Sequence, residues 1–197
     1  MTKPILPDLS QIQAAEQRIR PKLGETPLLT VPDLNAAIGQ PLGLKCESLQ
    51  RTGSFKARGA LNWLLTASAD ELKSGLVTVS AGNHAIGLAW AAAMQDVPLT
   101  VVMPEGSSPL KIHRTRALGA EVIVHGNIQQ AVARCHELRD NSGLTLVHPY
   151  NDVRIMVGQG TVGLELLRQQ SDVDRILCPI GGGGLISGLG LAIKAQK

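Results

Sequence analysis

Three separated segments carry residue types that can do chemistry: Ser54-Phe55-Lys56-Ala57-Arg58-Gly59-Ala60, Ser80-Ala81-Gly82-Asn83-His84, and four consecutive glycines, Gly181, Gly182, Gly183 and Gly184. Lys56 offers an amine for a Schiff base, the second segment a polar turn, and the glycines a run of backbone N–H groups for a phosphate. An exposed lysine is protonated at neutral pH and does not attack, so a nucleophilic Lys56 needs desolvation or a neighbouring positive charge. Phe55 and Arg58 are the local candidates for those two influences. The bland reading of Lys56 is a solvated helix lysine, and that of the glycines a tight strand-to-helix turn. The glycine run has neither the GxGxxG spacing of a dinucleotide loop nor the GK[ST] ending of a nucleotide P-loop.

The elements that must position these segments alternate. Ser10 is expected to cap a first helix with Ile12, Ala15 and Ile19 on one side. Strand is expected at Leu42–Cys46, helix at Ser54–Thr66, strand at Leu76–Val79, helix at Asn83–Gln95 and strand at Leu99–Met103. Helix Ser108–Leu118, stopped at Gly119, follows, then strand Glu121–Val124, helix Ile128–Arg139 and strand Thr145–Val147. Helix Gly160–Gln169, strand Arg175–Pro179 and helix Leu185–Gln196 complete the series. Such alternation predicts parallel sheet with helical crossovers. The Ser80–His84 and glycine segments then both fall at strand-to-helix turns, where ligands collect in parallel sheets.

Composition sets the outer bounds. The chain has 197 residues, 44% of them hydrophobic, yet only four aromatic residues, so its core is built from Val, Leu, Ile and Ala. A net charge of +3 gives no reason to expect a nucleic-acid partner, and the run Lys111, His113, Arg114, Arg116 reads as a solvated helix face. The start lacks the apolar region of a signal peptide and no run approaches membrane-spanning length, so a cytosolic protein without a membrane partner is expected. Cys46, Cys135 and Cys178 are too scattered for a zinc site and read as free thiols; no metal is expected.

Together the stretches TPLL at Thr26, KCESLQRTGSFKARGALN at Lys45, SAGNHAIGLA at Ser80, VGQGTVGLEL at Val157 and PIGGGGLISG at Pro179 resemble the threonine dehydratase and serine racemase group of fold-type II enzymes that use pyridoxal 5'-phosphate (PLP). The resemblance runs from about Gly24 to the last residue. It implies an α/β architecture of two parallel-type domains, tryptophan synthase beta-like, with residues 50–147 as the small domain and residues 1–49 and 148–197 as an incomplete larger one. It also implies a PLP imine on Lys56, with Phe55, Asn83, Gly181 to Gly184 and Leu185 at the cofactor and Ser80, Ala81, Gly82, Asn83 and His84 at the substrate. Helix capping is the alternative role for Asn83.

Two residue choices discriminate within the group. Related sulfhydrylases carry Gly-Asn-Thr where this chain has Gly82-Asn83-His84, which favours a dehydratase. Serine racemases carry an acid/base serine where this chain has Ala81, and racemisation needs proton transfer on both faces of the substrate. The resemblance therefore implies elimination from a β-hydroxy amino acid, L-threonine or L-serine, to a 2-oxo acid and ammonia. A racemase, or a non-catalytic remnant of the fold, is the alternative. Family members continue beyond the point matching Lys197, with the side chain facing the pyridine nitrogen in that part. A homo-oligomer or a complementing C-terminal segment is the expected partner.

Overall fold

The computed structural model describes residues 6–197. In chain order its elements are α1 (Leu9–Ile19), β1 (Leu28–Thr30), α2 (Pro32–Ile38), β2 (Gly43–Lys45), a 3-10 turn (Glu47–Leu49), α3 (Lys56–Thr66), α4 (Ala69–Lys73), β3 (Leu76–Val79), α5 (Asn83–Ala93) and β4 (Leu99–Met103). They continue with α6 (Pro109–Ala117), β5 (Glu121–Val124), α7 (Ile128–Ser142), β6 (Thr145–Leu146), α8 (Val153–Gln169) and α9 (Gly184–Lys194).

Short runs of Val, Leu and Ile bounded by Gly and Pro make β3, β4 and β5, and these pair in parallel with β6 in the order β5-β4-β3-β6. Both faces of this sheet are covered, so its inner residues are apolar on both sides: Leu76 and Val101 face the main core with α3 and α5, while Val77 and Val102 face α7. The order leaves the carboxyl ends of β3 and β6 side by side. The loops after them, Ser80–Gly82 and Val147–Asp152, therefore open on the same edge.

Outside this sheet, α8 is the central support. Asp152 caps it by accepting from the N–H groups of Arg154 and Ile155, and the Trp63 indole donates to the same carboxylate. This cap starts the helix at Val153, two turns before the expected Gly160. The glycines of α8 serve close approach: a Cβ on Gly158 would stand 2.6 Å from Gly59 Cα in α3, and one on Gly163 would stand 2.9 Å from Ala192 Cβ in α9.

Arg58, in α3, is 1% exposed and lies between two carboxylates. Its guanidinium donates to Glu47 at 2.8 Å and to Glu165 at 2.6 and 2.8 Å, and Lys45 donates to Glu165 at 2.7 Å. The network ties the strand β2 and the 3-10 turn to α3 and α8. Each buried charge has an opposite charge in hydrogen-bonding contact.

Several local expectations change. The first helix is capped by Asp8, which accepts from Gln11 N–H, and the Ser10 hydroxyl donates to Asp8 instead of capping. Ile12, Ala15 and Ile19 are buried as their spacing requires. Residues 175–179 form no strand: among the described residues no ladder hydrogen bonds reach them, and Leu177 is 84% exposed. An apolar run becomes strand only when a neighbouring strand takes its N–H and C=O groups. The expected strand at Leu42–Cys46 shortens to β2 and pairs antiparallel with β1, a strand too short to show periodicity. Among the described residues no helix is long and apolar enough to cross a membrane.

Candidate active site

The first turn of α3 places Lys56 at the floor of a cavity of about 590 Å³ that opens at the carboxyl edge of the sheet. Its Nζ donates to the Pro149 carbonyl at 2.7 Å and lies 5.4 Å from the centre of the Phe55 ring. Burial alone pushes the amine down to about 8, so the desolvation that Phe55 was expected to help provide is present at Lys56. Arg58 acts otherwise than expected. Its charge is committed to Glu47 and Glu165, and it is no cause of the lowered Lys56 value.

The turn between β3 and α5 forms another wall of the same cavity. Ser80, Ala81, Gly82, Asn83 and His84 all line it. Ser80 Oγ accepts from the N–H groups of Gly82 and Ala85, which pins the turn to the first turn of α5. The expected capping alternative for Asn83 is not realised: Gly82 holds the cap position, Asn83 is the first helical residue, and no side chain caps the helix. His84 is buried at 3% exposure and both ring nitrogens lack a protein partner. Burial, followed by the charge of Lys56, pushes its imidazole down to about 3, so it stays neutral.

The glycine run sits apart from these residues. Gly181 to Gly183 lead into the N-terminus of α9 with Gly183 at φ +88°, a left-handed conformation that favours glycine. None of the four glycines lines the cavity, nor do Phe55 and Leu185. Tyr150 is the link: its ring lines the cavity on one side and stands against Gly182, while Gly184 packs on its backbone. The structure thus brings Lys56 and the Ser80–His84 turn into one cavity and holds the glycine loop at its rim.

Sequence reasoning missed the remaining walls. His148, Pro149 and Tyr150 follow β6, and α7 contributes Ile128, Val132, Cys135 and His136 from one face. Their helical spacing was legible, but the cavity behind that face was not. His113, Arg114 and Arg116 of α6 are exposed, as the reading of a solvated basic face expects, with Arg114 and Arg116 donating to the carbonyls of Thr52 and Val122; Lys111 departs from it, being half-buried and lining the cavity. Among the described residues no group of three or more His, Cys, Asp or Glu side chains is arranged to hold a metal ion.

An open α/β sheet with a desolvated lysine at its carboxyl edge, beside a polar helix N-terminus, is the arrangement needed by enzymes that hold a carbonyl cofactor on a lysine. The residues present fit PLP. Lys56 supplies an amine of lowered basicity for its aldehyde, and His84 presents buried polar atoms that no protein group satisfies. The glycine loop offers an anion site at a helix N-terminus, with open space where Gly181 and Gly183 would carry a Cβ.

Residues 19–197 match the family described as pyridoxal-phosphate dependent enzyme. An L-threonine ammonia-lyase of Geobacter sulfurreducens is 46% identical over 184 residues, covering 93% of this chain and 46% of that protein. A serine racemase of Arabidopsis thaliana is 42% identical over 191 residues, covering 96% of this chain and 58% of its own length. The structure of maize serine racemase superposes with a TM-score of 0.92 at 37% identity, covering 96% of this chain and 58% of that one. This chain belongs to the PLP-dependent enzyme family and has its fold-type II architecture. It spans about half the length of the curated relatives it matches.

Proposed function

We propose that this chain forms the lysine-bearing part of a PLP-dependent ammonia-lyase that converts a small β-hydroxy amino acid, L-threonine or L-serine, to a 2-oxo acid and ammonia. The observation that carries the reading is Lys56 Nζ, lowered to about 8 by burial, in one cavity with the Ser80–His84 turn. PLP, when bound, supplies the conjugated ring that delocalises the electron pair left by the departing α-proton. Lys56 Nζ, once displaced by the substrate amine, is the base that takes that proton, and its lowered basicity keeps a useful fraction neutral near pH 7. The Ser80–His84 turn would orient the substrate, Asn83 would contact the cofactor ring, and Gly181 to Gly184 with Leu185 would hold its phosphate. The names of the Geobacter relative and of the reaction class agree.

Residues 50–147 are proposed as the small domain and residues 1–49 with 148–197 as part of the larger, supported by the confinement of the four-stranded sheet to residues 76–146. The proposed site is cytosolic and takes its amino acid without nucleic-acid or membrane partners. A homo-oligomer or a complementing C-terminal segment is proposed to cover Leu177 and Ile180, which are 84% and 69% exposed.

A second reading, serine racemisation, is favoured by the Arabidopsis and maize relatives. Ala81 has no proton to exchange on the second face, so elimination should dominate. The test is to load the chain with PLP, reduce with borohydride and map the adduct, then assay L-serine and L-threonine for 2-oxo acid and for the D-enantiomer. An adduct on Lys56 and a 2-oxo acid formed faster than the D-enantiomer are expected. An adduct scattered over surface lysines, or D-serine as the main product, defeats the proposal.

A further inference from the structure

On α6 the basic side chains divide their roles. Arg114 and Arg116 each donate to a carbonyl, whereas Lys111 Nζ has neither a carboxylate nor a hydrogen-bond acceptor among the described residues. Its side chain instead reaches over the turn that opens α5. Lys111 Nζ lies 2.7 Å from the point where a Cβ on Gly82 would stand, so any larger residue at position 82 would displace it. The glycine there makes room for a cation.

Three further features specify what that cation meets. The cavity is lined by two lysines, Lys56 and Lys111, and by no Asp or Glu. The N-terminus of α5 adds the positive end of a helix directly beneath Lys111. His84, buried and unpartnered at both nitrogens, lines the same space. An anion with several acceptor atoms satisfies all of these groups. The cofactor phosphate is not that anion, because the glycine loop that suits it lies at the rim of the cavity beside Tyr150, whereas Lys111 stands over Gly82. The neighbouring wall from α7 is apolar at Ile128 and Val132, with Cys135 and His136 further along the same face, and it carries no Lys or Arg. Lys111 and Lys56 are thus the cavity's only lysine or arginine side chains among the described residues, and the ligand pairs a carboxylate with a small aliphatic group.

We propose that Lys111 is a specificity-determining residue, its ammonium holding the single carboxylate of the amino-acid substrate over the N-terminus of α5. This deepens the reading given under Proposed function and rests on it for the identity of the ligand, though its test does not need PLP. A charge-assisted hydrogen bond of this kind is worth about 10-fold or more in affinity.

The experiment titrates the chain with propionate, propionamide and inorganic phosphate while following the backbone amide resonances of Gly82, Asn83 and His84. Propionate should move them in the wild type, about 10-fold more weakly in Lys111→Met, and with an intermediate response in Lys111→Arg. Propionamide, isosteric but uncharged, should move them in neither. Equal propionate affinity in wild type and Lys111→Met, no propionate response in the wild type, or a Lys111-dependent response to phosphate alone each overturns the proposal. Unchanged amide shifts of β3 and α7 in the variants separate loss of the cation from loss of the fold. Failure of the PLP reading is read elsewhere, from a borohydride adduct that misses Lys56.

Discussion

At pH 7.5 an ordinary lysine, with its amine near 10.5, has about one molecule in a thousand neutral, whereas Lys56 at about 8 has about a quarter. The ratio, roughly 200-fold, is the gain in neutral amine that burial gives Lys56, and it sets the upper bound of its rate advantage toward an aldehyde. Pulsed reaction with PLP, trapping by borohydride and peptide mapping across pH 6 to 11 measures it site by site. The rate at Lys56 should rise with pH and level off near 8, while exposed lysines continue to rise through 10. The same shift has a sign in stability. Lys56 loses its proton at lower pH folded than unfolded, so the unfolded chain binds more protons between about 8 and 10.5. Stability should therefore rise with pH through that window, and Lys56→Met should flatten the rise. A Lys56 labelling profile that breaks near 10.5, with no rate advantage over exposed lysines, refutes the burial argument.

Two stability predictions follow from the supports of the site. Glu165→Gln leaves buried Arg58 and Lys45 without their shared carboxylate, at a cost of about 3–5 kcal/mol and a melting temperature lower by about 6–20 °C, measured by calorimetry. Burial raises the Glu165 carboxyl, but hydrogen bonds and charge from Arg58 and Lys45 outweigh it and hold the group below its usual range. Its contribution is present above the unfolded carboxyl value and fades as pH falls through the folded one, so wild type should lose more stability in acid than Glu165→Gln; a variant within about 1 kcal/mol of wild type contradicts this account. Gly183→Ala, at φ +88° with open space for its Cβ, should cost about 1–2 kcal/mol in urea unfolding, against about 0.5 kcal/mol or less for Gly181→Ala, and equal costs would show that backbone strain is not what distinguishes them.

Much of the framework was legible because its signals are local. The strands Leu76–Val79, Leu99–Met103 and Glu121–Val124 stand where apolar runs end at Gly and Pro, and α5 begins at the residue expected. The failures arise where a partner decides. Residues 175–179 have a strand's composition and no neighbouring strand, while β1 has too few residues to signal itself but gains β2. In α8 a cap at Asp152 and close helix neighbours outweigh the low helix propensity of Gly158, Gly160 and Gly163.

By itself the sequence determined the alternating α/β order and the chemistry on offer: an amine at Lys56, a polar turn at Ser80–His84 and a glycine anion loop, each a matter of residue type within a few positions. Tertiary structure alone decided which groups share a space and which are desolvated. It brought Lys111 and the α7 face to the cavity, set Tyr150 beside the glycines at its rim, and lowered Lys56 by burial. Burial and distance depend on segments far apart in the chain, so no local pattern encodes them; the parallel order β5-β4-β3-β6, which places the loops after β3 and β6 together, does.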